Sequence, residues 1–124
     1  MTSVVDASAV LAWLQDEPGA EAAEAMLMEG VIGAANWSEV LQKARQHGVE
    51  AAAVAMLLAT FGLQVIDVNA ADAEQAASLW RAGSGLSLAD RLCLALAMRL
   101  AAPVATADAR WARLSEGPEV VVIR

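Results

Sequence analysis

Residues Thr2 to Trp13 read TSVVDASAVLAW, and their reading decides the fold. The β-branched pair Val4-Val5 suits a short strand. The pair ends on an acid, Asp6. Small residues follow, Ala7-Ser8-Ala9, and then an apolar helical stretch. The order is strand, acid, helix. In an open parallel sheet, ligands sit outside the carboxyl ends of the strands, so Asp6 is expected at that edge. Three later acids, Glu39, Asp90 and Asp108, also stand where a strand or loop enters a helix. All four are expected to converge on one site.

The rest of the chain repeats this alternation. Asp16-Glu17-Pro18-Gly19 breaks the first helix, and Ala20 to Met28 reads as a second with Ala23, Met26 and Leu27 on one face. The acids around it, Asp16, Glu17, Glu21, Glu24 and Glu29, read as a solvated face. Gly30 ends the helix, and Val31 to Ala35 reads as a buried strand. Asn36 is expected as the N-cap of a helix running to about Gln46, with Glu39 three residues on in a near-capping box. His47-Gly48 suits its C-terminus. Glu50 to Phe61 is a strongly apolar helix, and Leu63 to Val68 a strand. Asn69 or Asp72 starts the next helix, which carries Ala73, Ala76, Ala77 and Trp80. Leu86 to Leu100 is apolar almost all round and is expected as a buried central helix, opened by Ser87 and Asp90 in a second capping pattern. Val104 to Thr106 reads as a strand, Asp108 as the N-cap of a turn over Ala109 to Leu114, and Glu119 to Ile123 as a last strand. Short strands separated by helices predict a single α/β domain over residues 1–124, with a mainly parallel five-stranded sheet flanked by helices.

Bulk composition narrows the function. The 124 residues hold 15 acidic and 8 basic side chains, a net charge of −7. Such a chain does not hold nucleic acid by overall charge, although metal ions and a few arginines remain open to it. Hydrophobic residues make up 58%. The longest apolar run, Ala51 to Leu63, falls short of the ~20 residues of a membrane span. No signal peptide or membrane anchor is expected, and the apolar surplus points to an interface. Cys93 is the one cysteine, which fits a reducing cytoplasm.

The acids have structural explanations one by one, as helix caps. Together they describe a cluster of hard oxygen donors, which suits Mg²⁺ or Mn²⁺. A single His and a single Cys build neither a zinc site nor a catalytic triad. Arg91 and Arg110 flank two of the acids and suit either RNA phosphate contacts or surface ion pairs. The four tryptophans read as core or interface. Gly83-Ser84-Gly85 follows a helix and lacks a third glycine, so it is no dinucleotide loop.

Four stretches, VVDASA, NWSEV, LSLADRLCLALA and TADARWARL, resemble in order and spacing the motifs of the PIN-domain family, and most of all the VapC-type toxins of prokaryotic toxin–antitoxin pairs. The resemblance covers essentially the whole chain. It implies that Asp6, Glu39, Asp90 and Asp108 are the metal-binding catalytic acids and that Ser8, Asn36 and Thr106 are polar supports. The family often has Gly before its third acid, where this chain has Ala89. It further implies endoribonuclease activity on RNA with Mg²⁺ or Mn²⁺, a homodimer, and a cognate antitoxin as partner. Two other readings are a non-catalytic PIN-like binding module and a receiver-like phosphoacceptor domain. The second needs a second N-terminal acid and a lysine near the last strands, whereas Lys43, the one lysine, is in the wrong region of the chain.

Overall fold

The computed structural model describes residues 2–124. Five strands form one sheet: β1 (Val4–Val5), β2 (Val31–Gly33), β3 (Gln64–Ile66), β4 (Val104–Thr106) and β5 (Val120–Val122). All pairings are parallel and the order is β3-β2-β1-β4-β5. This order differs from the 2-1-3-4-5 arrangement of receiver-type folds. It removes the phosphoacceptor reading.

Alternation along the strands divides the core into two layers, because successive side chains leave opposite faces of a sheet. Val4 pairs with Val31 and Val104, and these three meet one set of helices. Val5, Ile32 and Ala105 point to the other face. There they meet α1 (Ala7–Leu14), α2 (Ala20–Leu27), α3 (Ala34–Gln46) and α4 (Ala51–Ala59). The first face is covered by α6 (Leu88–Leu100), flanked by α5 (Ala70–Ser78) and by Trp111 of a 3-10 turn, Ala109–Arg113. Cys93, Leu94, Leu96 and Ala97 of α6 are each at most 2% exposed, in line with the expected buried central helix.

Three boundaries depart from expectation. β2 stops at Gly33, and α3 begins at Ala34, so Asn36 lies inside the helix and Gly33 is the N-cap. A Cβ on Gly33 would stand 3.2 Å from Oδ1 of Asn36, which leaves little room for a capping side chain there. Helix α5 ends at Ser78, two residues before Trp80. Leu79 enters the core in its place and Trp80 is 59% exposed. Guanidinium groups take the carbonyls at this end: Arg91 binds that of Ala76, and Arg81 those of Ser78 and Trp80. The expected strand from Leu63 to Val68 shortens to Gln64–Ile66, at an open edge of the sheet.

Candidate active site

The order β3-β2-β1-β4-β5 reverses direction between β1 and β4, and the carboxyl ends of the strands at such a switch point form a natural crevice. Asp6 leaves β1 there and Thr106 ends β4 beside it, with the Asp6 N–H donating to the Ala105 carbonyl at 2.9 Å. Helices that return from a parallel sheet start at the same edge, which brings the first turns of α3 and α6 alongside. A cleft of about 360 Å³ results. Asp6, Glu39, Asp90 and Asp108 all line it, as do Ser8 and Arg110.

Asp6 is 5% exposed and is held by two hydroxyls. Ser8 Oγ donates to its Oδ2 at 2.6 Å and Thr106 Oγ1 to the same atom at 3.1 Å. Each hydroxyl accepts a backbone N–H in turn: Ser8 from Ala107 at 2.9 Å, Thr106 from Asp108 at 3.1 Å. The exits of β1 and β4 are thereby tied together through one carboxylate oxygen. Asp6 occupies the N-cap position of α1, but its side chain makes no capping bond and is left to the two hydroxyls.

Asn36 supports the opposite wall. It is 1% exposed. Its Nδ2 donates to Glu39 Oε1 at 3.3 Å and to the Ala89 carbonyl at 3.2 Å. One amide thus joins Glu39 of α3 to the residue before Asp90 of α6. The capping box expected for Asn36 and Glu39 is replaced by this bridge between helices. Ser87 and Asp90 do form a capping box, with the Ser87 N–H on Asp90 Oδ2 at 2.9 Å and the Asp90 N–H on Ser87 Oγ at 3.1 Å. Asp108 is also a cap, accepting the Arg110 N–H at 2.9 Å. Asp90 and Asp108 therefore serve as caps and line the cleft at once.

The electrostatics separate the acids into two groups. Burial pushes the Asp6 carboxyl above its ordinary range; the Ser8 bond opposes this, the Asp90 charge adds to it, and the Thr106 bond opposes again. Glu39 is exposed as a residue, yet its carboxyl loses enough water in the cleft to be raised as well. The charge of Asp6 adds to that, the Asn36 bond lowers it, and Asp90 adds once more. These like charges resist ionisation at close quarters unless a cation screens them. Asp108 moves the other way. The Arg110 guanidinium bound to it outweighs its loss of solvent and holds its pKa down. Cys93 lies 0% exposed beneath the acids, and burial, then Asp6, Asp90 and Glu39, push its thiol well up. It is no nucleophile here.

An all-carboxylate donor set with charge to neutralise fits a hard divalent cation. Among the described residues, however, no three His, Cys, Asp or Glu side chains are gathered tightly enough to hold an ion as they stand. The acids share a cleft, and side-chain rotation is needed to close a coordination shell.

Two placements were not anticipated in the sequence. Arg91 turns away from the cleft: its Nη1 donates to Ala76 at 2.8 Å and its Nε is buried without a partner. Lys43, on α3 rather than near the last strands, lines the cleft with Gln42 and Gln46. These three follow Glu39 at intervals of three, four and seven, the spacing of one helical face. That periodicity was the available signal. His47 is a C-terminal helix residue, as expected, with Nδ1 2.9 Å from the Lys43 carbonyl oxygen.

Comparison with curated protein sequences found no match. Solved structures share the fold over nearly the full chain. A toxin–antitoxin complex from Klebsiella pneumoniae superposes with a TM-score of 0.79 at 23% identity, covering 98% of both chains. VapBC2 from Rickettsia felis, bound to a promoter DNA fragment, gives 0.70 at 15% identity, again with 98% of both chains covered. VapC20 from Mycobacterium tuberculosis, a toxin that cleaves the sarcin–ricin loop, gives 0.70 at 17% identity over 94% of this chain and 99% of that one. The family model described as PIN domain matches residues 3–117, and the chain belongs to that family.

Proposed function

We propose that this chain is a metal-dependent endoribonuclease and the toxin of a type II toxin–antitoxin pair. One observation carries the reading: Asp6, Glu39, Asp90 and Asp108 line a single cleft at the switch point of a PIN domain. The related folds in two toxin–antitoxin complexes and in a toxin that cleaves the sarcin–ricin loop support it. The four acids would hold Mg²⁺ or Mn²⁺, which when bound supplies an activated water and stabilises charge in phosphodiester hydrolysis. Ser8 and Thr106 aim Asp6 through Oδ2. Asn36 sets Glu39 against the first turn of α6. Arg110 and Lys43, which both line the cleft, are the basic groups available to an RNA phosphate.

The partners in this reading are RNA, a second copy of the chain and a cognate antitoxin. A largely apolar trough lined by Leu11, Leu14, Val40, Lys43, Val49 and Val54 shares Leu11 and Lys43 with the acidic cleft. An amphipathic antitoxin segment with a basic residue would lay its apolar side there and its charge on the acids. Among the described residues no helix is long and apolar enough to cross a membrane. The buried free thiol of Cys93 accords with a reducing cytoplasm.

Purified protein is expected to cleave RNA with Mg²⁺ or Mn²⁺ and to stop with EDTA. Asp6→Asn and Asp90→Asn should each lower the rate roughly 100-fold or more, as when a transition-state charge contact is removed. Equal cleavage by wild type and variants would mark a contaminant and sink the assignment. The Asp108–Arg110 ion pair favours one second reading, a non-catalytic binding module whose fourth acid is already neutralised. RNA binding without cleavage under all metal conditions would select it.

A further inference from the structure

Asp108 differs from the other acids of the cleft in already holding a cation. Arg110 Nε lies 3.0 and 3.1 Å from its two carboxylate oxygens and Nη2 lies 2.7 Å from Oδ2. The guanidinium passes close to Gly85 while remaining largely in solvent. A Cβ on Gly85 would stand 2.6 Å from Nη1. Arg110 and all four acids line the same cleft. Forked pairing of this kind occupies both oxygens of a carboxylate and leaves few lone pairs for another cation.

We infer that Arg110 is a built-in competitor for the divalent ion: it holds Asp108 out of the coordination shell until the ion displaces it. The inference rests on the metal-dependent reading above. Asp6, Glu39 and Asp90, which line the cleft with Asp108, take the ion first by rotation of their side chains, and capture of Asp108 completes the site. An ion pair with a 58% exposed arginine is weak enough for a divalent ion to break. The gate therefore sets the metal concentration at which the site fills.

Calorimetric titration with MnCl₂ tests it on wild type, Arg110→Ala, Asp108→Asn and the double variant. Arg110→Ala should bind Mn²⁺ about twofold to fivefold more tightly than wild type, the upper part of the range for removing an exposed pair. Asp108→Asn should bind more weakly. In the Asp108→Asn background, removing Arg110 should change affinity by less than about twofold, because nothing is left to gate. An equal gain in both backgrounds would show a general field effect of the charge and overturn the gate. So would unchanged affinity in Arg110→Ala. Arg110→Lys retains the charge and loses the fork, and its affinity should fall between wild type and Arg110→Ala. Affinity no tighter than wild type in the Lys variant would also count against the forked gate. Failure of all these proteins to bind Mn²⁺ would remove the metal reading itself, a result distinct from any of those above.

Discussion

Asp90 carries two duties that oppose one another in stability. As the third residue of the capping box it sits in the positive field of the α6 N-terminus. Asparagine there keeps an acceptor for the Ser87 N–H and loses the charge, a cost of roughly 0.3–1 kcal/mol. The same charge presses on Asp6 and Glu39 across the cleft, so its removal relieves both. In EDTA at neutral pH, Asp90→Asn is expected to melt at or above wild type. In millimolar Mg²⁺ or Mn²⁺ the wild type gains binding free energy that the variant lacks, and the order should reverse. Thermal melts of both proteins in both buffers decide it. A variant that melts lower by the same margin in each leaves Asp90 as a cap alone.

At the scale of elements, α5 and α6 are joined by a different acid. Asp72 closes the capping box of α5 with Asn69 and is 3% exposed. Its Oδ1 and Oδ2 accept from Arg99 of α6 at 2.8 and 3.0 Å. Burial pushes Asp72 up, but the Arg99 bonds, the Asn69 N–H and the Arg99 charge together outweigh it, and the carboxyl is held below its ordinary range. A carboxyl lowered in the fold contributes stability above its unfolded pKa, and that stability is lost as pH falls through the folded value. Arg99→Met strands a buried carboxylate. The loss should be about 1–2 kcal/mol, below the range for a fully buried pair because a third of Arg99 is in solvent. Urea melts should show the deficit at neutral pH and see it narrow in acid, as Asp72 protonates. A deficit independent of pH would mean that Arg99 matters for its packing alone.

The whole molecule leaves apolar surface uncovered. Helix α4 is apolar at every position, yet only Val54 and Leu58 face inward. Met56 is 74% exposed, Met28 56%, Leu57 45% and Val65 43%. Val65 lies on β3, an edge strand with one side unpaired. Exposed apolar groups and an open sheet edge are both features of interaction surfaces. Light scattering at micromolar concentration should therefore give twice the 12.9 kDa of one chain. A monomer alone at that concentration would count against the homodimer.

Much of this was written in local sequence. Val4-Val5 followed by Asp6 and small residues set the first strand and its acid, because β-branched pairs and helix starts depend on near neighbours. The Ser87–Asp90 capping box was legible for the same reason, its two residues lying three apart. Alternation of short strands with helices was enough for a parallel α/β sheet. What the tertiary structure decided lies between residues far apart in the chain. Asn36 is an inner helix residue because its amide binds Ala89, 53 positions on. Arg91 left the cleft because the end of α5 offered it the Ala76 carbonyl. Lys43 entered the cleft because α3 turns the face that carries Glu39 toward Asp6. The strand order put the exits of β1 and β4 side by side, and only then did Ser8 and Thr106 meet on one oxygen of Asp6. Spacing along the chain records which residues share a turn. Contacts across the sheet arise when buried apolar faces choose their partners, and that choice belongs to the packed fold.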